Sequence, residues 1–169
     1  MAQKIYNVLF LCTGNSCRSV FAESILNRIG GGRFKGYSAG SHPAGQINPY
    51  TLELLERFDH PTEGLRSKNW DEFAAANAPS MDFVVTVCDQ AAGEACPVWP
   101  GKPATAHWSF PDPAKFEGPE EQKRKFFNRV YGQINSALAV FVNLPFEILD
   151  ETELKTKLTE IGDSIPGRK

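Results

Sequence analysis

The first pattern along the chain is an unbroken apolar run. Ile5 to Leu11 holds Val8, Leu9, Phe10 and Leu11 in succession, which predicts a strand buried on both faces. From Ser19 to Ile29 the spacing becomes helical, with apolar residues at Val20, Phe21, Ile25, Leu26 and Ile29. Ser19, or a residue just before it, is the expected cap, and Gly30-Gly31-Gly32 the expected end. Phe34 to Ala39 predicts a second strand closed by Gly40. Asn48-Pro49 opens a helix through Phe58, with Asn48 as cap and Pro49 in the first position. Asp71 to Ala75 predicts a short helix. Asp82 to Cys88, carrying Phe83, Val84, Val85 and Val87, predicts another buried strand. Residues 89–103 are rich in Gly, Pro and Ala and read as a long loop, and Ala104 to Trp108 as a fourth strand. Pro119 to Val142 predicts a long helix with Phe126, Phe127, Val130, Ile134, Leu138 and Phe141 on one face. A short helix from Glu151 to Ile161 follows, and the tail over 163–169 is expected to fray.

Strand and helix alternate, so the expectation is an α/β domain with a mainly parallel sheet. The length of 169 residues suits a single domain over 1–169. In open parallel sheets ligands bind beyond the carboxyl ends of the strands. The loops at 12–18, 88–103 and 108–113 all leave such ends.

Composition narrows the function classes. With 41% hydrophobic and 22% charged residues, the chain reads as an ordinary globule. A formal net charge of −2 argues against a nucleic-acid binder. No apolar stretch approaches the roughly 20 residues needed to span a bilayer, and no signal peptide is evident. The expected compartment is the cytoplasm, where the four cysteines are reduced and any disulfide among them is transient. His42, His60 and His107 show no metal-ligand spacing, so no metal centre is expected. They read as surface or packing residues, and Trp99 as shaping a loop over the site.

The chemistry gathers in Cys12-Thr13-Gly14-Asn15-Ser16-Cys17-Arg18. A loop between a strand and a helix presents successive backbone N–H groups and the positive end of the helix dipole, a nest for a phosphate-like dianion. Gly14 and Asn15 are residues that tolerate left-handed backbone. Arg18 adds a planar fork to two oxyanion oxygens. The same donors, with Ser19 bonded to the sulfur, would lower the pKa of Cys12 and make it a nucleophile. By itself, a Cys and an Arg five residues apart is a weak motif. The buried strand before it and the amphipathic helix after it strengthen it.

The stretch Val8 to Ser19 resembles the phosphate loop of the low-molecular-weight protein tyrosine phosphatase superfamily, and is most similar to the arsenate reductases on that fold. The resemblance continues at Tyr37-Ser38-Ala39-Gly40-Ser41, at Val84-Val85-Thr86-Val87-Cys88, and from His107-Trp108 to Asp112-Pro113-Ala114. It implies a four-stranded parallel sheet flanked by helices in three layers. It implies that Thr13, Gly14, Asn15, Ser16, Cys17 and Arg18 bind arsenate or a phosphate-like oxyanion, and that Asp112 is the acid protonating the leaving oxygen. Cys12 would form a covalent adduct, Cys88 would attack Cys12, and Cys96 would carry the disulfide outward. Cys17 is read as structural or as a local oxidation partner. No bound cofactor is implied, only an external reductant: thioredoxin, or glutathione with glutaredoxin.

Two departures bear on these implications. Seven residues separate Cys88 from Cys96, one more than thioredoxin-linked members usually have. Those members also bind potassium with Asn, Glu, Ser and an acidic residue. Asn15, Glu23 and Ser38 match, but the segment near Ser67 offers no clear Asp. The alternative function is a phosphatase hydrolysing phosphomonoesters through a Cys12 phosphocysteine. Against it, Ala114 and Lys115 stand where phosphotyrosine enzymes of this fold place aromatic residues, and Thr13 replaces a larger apolar residue.

Overall fold

The computed structural model describes residues 4–93, 99 and 102–166. Four strands, β1 (Tyr6–Cys12), β2 (Phe34–Gly40), β3 (Phe83–Thr86) and β4 (Ala104–His107), form one sheet in the order β2-β1-β3-β4. Every pairing is parallel, so each return crosses over the sheet through a helix or long connection. From β1 the chain moves first to β2 on one side and later to β3 on the other. That reversal opens a crevice at the carboxyl ends of β1 and β3. Register places Cys12 beside Gly40, Leu11 beside Thr86 and Thr86 beside His107 along that edge.

Side chains of β1 alternate between two cores, as the strand period requires. Val8, Phe10 and Cys12 face the larger one. It is covered by α1 (Arg18–Ile29), α2 (Pro49–Arg57), α4 (Glu120–Val142) and α5 (Glu151–Asp163). Leu9 and Leu11 face a smaller core with Trp70, Phe73, Met81 and Trp99. The outer layers are therefore unequal: four helices on one face, and on the other the 3-10 turn Trp70–Phe73 with neighbouring residues. In the larger core, Phe141 of α4 meets the rings of Phe83 at 5.2 Å and Phe34 at 5.4 Å, tying the long helix to β2 and β3.

Most expected elements appear, with shifts at their ends. Asn48 caps α2 by accepting from the Tyr50 amide at 2.9 Å, with Pro49 in the first position. The short helix expected over Asp71 to Ala75 is the 3-10 element Trp70–Phe73. The expected loop 89–103 begins with a single helical turn, α3 (Asp89–Ala92). Phe126 is only partly buried at the edge of the main core, where it also packs on Phe116 at 5.5 Å. The tail does not fray at once: Ser164 closes α5 by bonding Ile161, and Ile165 is buried in the main core. Residues 167–169 lie outside the described residues, as does Cys96. No helix among the described residues is long and apolar enough to cross a membrane.

Candidate active site

The loop after β1 is turned by its carbonyls. Thr13 O accepts from the His42 amide at 2.9 Å, and Ser16 O from the Asn48 amide at 3.1 Å. Gly14 O accepts from the Ala44 amide at 2.9 Å and the Ser67 hydroxyl at 3.0 Å. The peptides are trans, so a carbonyl drawn outward sends the following N–H the opposite way. The amides of Gly14, Asn15 and Cys17 are thereby aimed at the concave side. The Asn15 amide donates to Cys12 Sγ at 3.3 Å, as this requires. Asn15 alone in the loop is left-handed, with φ 47°; Gly14, also expected there, is not. The end of β2 runs so close behind that a Cβ on Gly40 would sit 2.4 Å from Thr13 O.

Neither Ser19 nor any other side chain caps α1. Its N-cap is Cys17, with no side-chain hydrogen bond. The first-turn amides therefore need an outside acceptor, and the dipole favours an anion. Ser19 is buried within the helix, and its hydroxyl lies 3.1 Å from Cys12 Sγ.

In front of the loop is a cavity of about 450 Å³, lined by the loop, Cys88, Asp112, Ala114 and Lys115 among others. Asp112 enters from beyond β4: its Oδ2 lies 3.3 Å from Arg18 Nη2, and its Oδ1 accepts from the Ala114 amide at 3.0 Å. Arg18 Nη1 also donates to Phe110 O at 3.0 Å. The fork that would hold an oxyanion is thus already aligned by the acid's own loop.

Cys88 lies two residues past β3, buried, and lines the cavity together with Cys12. Its Sγ accepts from the Ala91 amide at 3.4 Å and lies 3.7 Å from Thr13 Oγ1. The two sulfurs titrate as one pair. Cys88 is drawn down to about 5, chiefly by the Cys12 hydrogen bond, with the Ala91 amide and Arg18 assisting against burial. Cys12 is pushed up by the same bond and by burial, against the pull of Ser19 and Arg18. The lowered pKa expected of Cys12 falls on Cys88 instead, because burial and the neighbouring sulfur outweigh Ser19 and Arg18 at Cys12.

Cys17 is buried, and burial pushes its thiol up, which suits a packing role. Trp99 does not cover the cavity; it packs 6.2 Å from Trp70 on the opposite face of the sheet. His60 is buried against the Tyr131 hydroxyl at 2.6 Å. His107, expected to be a surface or packing residue, bridges two elements. Its Nδ1 is 2.8 Å from Thr86 Oγ1 and its Nε2 is 2.8 Å from Asp89 Oδ1, next to Cys88. Lys68, which no sequence pattern singles out, is buried behind the loop; only its place two residues before the apolar Trp70 turn hints at burial.

Asn15, Glu23 and Ser38 do converge there. Ser38 Oγ donates to Glu23 Oε1 at 2.5 Å, and Asn15 Nδ2 donates to Ser38 Oγ at 3.0 Å. The fourth member is the Lys68 ammonium, which donates to Ser38 O at 2.8 Å and Arg66 O at 2.9 Å. The ammonium puts a fixed positive charge beside these three residues, where a potassium ion would be repelled.

A family model, low molecular weight phosphotyrosine protein phosphatase, matches residues 7–158. The chain belongs to that family. The arsenate reductase of Bacillus subtilis (strain 168) is 39% identical over 134 residues, covering 79% of this chain and 93% of the relative. Among solved structures, the thioredoxin-dependent arsenate reductase of Corynebacterium glutamicum aligns with a TM-score of 0.57 at 24% identity, over 82% of this chain and 63% of that one. The low molecular weight phosphotyrosine phosphatase of Vibrio cholerae O395 aligns with a TM-score of 0.63 at 23% identity, over 82% and 95%. The last two similarities establish a fold that serves both reductases and phosphatases. Within it, what separates this chain from a one-cysteine hydrolase is Cys88 against Cys12. Phe116, the first aromatic after Asp112, packs on Phe126 rather than lining the cavity, whereas Phe110, two residues before Asp112, does line it.

Proposed function

We propose that this protein reduces arsenate to arsenite with electrons from thiols, in the cytoplasm. The observation that carries the reading is the second thiol, Cys88, lining the same oxyanion cavity as Cys12. The reductase relatives support the same choice.

The loop amides and Arg18 bind the arsenate dianion. Cys12 passes its proton to the Cys88 thiolate and attacks arsenic, an As–S bond forms, and one arsenate oxygen leaves as water, protonated by Asp112. Cys88 then gives that proton to an oxygen of the departing arsenite and attacks Cys12 Sγ as a thiolate. The As–S bond breaks, its electron pair stays on arsenic, arsenic falls from the +5 to the +3 state, and a Cys12–Cys88 disulfide remains. Cys96 attacks Cys88 and passes the disulfide to thioredoxin, or to glutathione with glutaredoxin. The thiols supply both electrons, so no resident cofactor is needed.

The test is arsenite formation from arsenate with each thiol system supplied separately. Turnover with at least one system is expected. Brisk hydrolysis of an aryl phosphate with no arsenite under any system would establish the phosphatase alternative instead.

A further inference from the structure

We infer that Lys68 is a positioning residue: its buried ammonium is an internal cation that holds the oxyanion loop and makes a bound alkali ion unnecessary. The proposal deepens the reading of loop 12–18 as an oxyanion cradle and rests on that reading, but not on arsenate as the substrate.

A buried charge persists only where it is paired and its donors are used. Lys68 is held by carbonyl acceptors and by the field of a carboxylate. Two of its three ammonium protons go to the carbonyls of Ser38 and Arg66. Its counter-charge is Glu23, whose carboxylate attracts it against the cost of burial. Neither group touches the cavity, so neither has a part in the chemistry proposed above.

The pair is wired to the nucleophile. Lys68 fixes the loop through its backbone, where its amide donates to Asn15 Oδ1 at 2.9 Å. Its own carbonyl accepts from the Gly40 amide at 2.9 Å, which pins the end of β2 behind the loop. From Glu23 the hydrogen bonds run in one direction. Ser38 gives its single hydroxyl proton to Glu23, so it can only accept from Asn15. The second proton of the Asn15 amide goes to Ser19 Oγ at 2.9 Å. Ser19 is then left with its own proton for Cys12 Sγ. This order needs an ionised acceptor at Glu23; burial pushes its carboxyl up, and the Ser38 hydroxyl and the Lys68 ammonium work against that by favouring the ion. A protonated Glu23 would donate to Ser38 and reverse the chain.

The donor set explains why the cation is covalent. Carbonyl, carboxylate and amide oxygens are hard ligands suited to an alkali ion. The Lys68 ammonium holds the Ser38 and Arg66 carbonyls from the chain itself, without an ion to be lost at low concentration.

The experiment measures phosphate protection of Cys12 from alkylation, with Tm alongside, in potassium and in choline at equal ionic strength. The wild type is expected to respond equally to both cations. Lys68→Ala should weaken phosphate protection about 10- to 100-fold, the scale on which supporting residues act. Potassium but not choline should restore it and raise Tm. Lys68→Arg should keep most of the wild-type behaviour. A potassium requirement in the wild type, or full protection by Lys68→Ala in choline, would overturn the proposal. So would damage that neither potassium nor Lys68→Arg relieves, since Lys68 would then be packing alone. Because phosphate is the probe, a chain that failed to reduce arsenate would still decide the question.

Discussion

The back and the front of the oxyanion loop are built differently. Behind it, Asn15, Ser19 and Ser38 are fully buried, and each polar side chain there is matched donor to acceptor. In front, Arg18 and Asp112 meet through one ion pair with part of each side chain in water, and Cys88 rests on single contacts with Thr13 and Ala91. The back is saturated and resists rearrangement, because every shift would orphan a buried group. The front must exchange partners during a reaction, so it is held by contacts that open easily. A rigid cradle with mobile chemistry before it is a sensible division, since only the thiols and the acid change bonds.

The largest effect expected is at the junction of the two regions. Cys12→Ser should lower arsenate turnover by roughly ten-thousand-fold or more, measured as arsenite released, with little change in Tm. Gly40→Ala probes the back. The added Cβ, 2.4 Å from Thr13 O, forces the loop to shift, so both Tm and phosphate binding should fall, by about 1–3 kcal/mol of stability for overpacking. A variant that lost neither would show the cradle to be pliable. On the front, Asp112→Asn should slow the first step by about 10²–10⁴-fold in single-turnover kinetics while Tm holds. Equal losses of Tm for Gly40→Ala and Asp112→Asn would erase the contrast between the regions.

A milder change tests the shared proton. In the wild type the first thiol proton should leave near pH 5, read as ultraviolet thiolate absorbance, because a sulfur–sulfur hydrogen bond stabilises the anion. Cys88→Ala removes that partner, so the first inflection should move upward. An unmoved inflection would assign the low-pKa thiolate to Cys12 alone. The smallest effect is expected from His107→Ala, which frees Asp89 beside Cys88. Exposed pairs of this kind contribute about 0–1 kcal/mol, so Tm should hardly move, while the disulfide-forming step should change modestly.

Several parts of this site are legible in the amino-acid sequence. Cys12, Arg18 and the strand and helix around them are contiguous, so the apolar run, the Asn and the helical spacing announce an anion loop directly. Asn48 is legible as a cap for the same reason. Trp99 is not, because a Pro-flanked Trp on a loop carries no sign of which sheet face it will cover. The capping role expected of Ser19 fails because the helix already begins at Arg18, which puts Ser19 inside its first turn. Lys68 is invisible, since a lysine in sequence reads as solvated until its surroundings are known.

The order of strands and helices, the nucleophile, and the loop with its arginine are all set locally, because each rests on neighbours within a turn or a strand length. Long-range packing alone brings Cys88 to the loop 75 residues away, aligns Arg18 with the acid's loop 92 residues on, and seats Lys68 behind Asn15 across 53 residues. Those pairings follow from parallel strands converging at one sheet edge, a tertiary arrangement that no local pattern encodes.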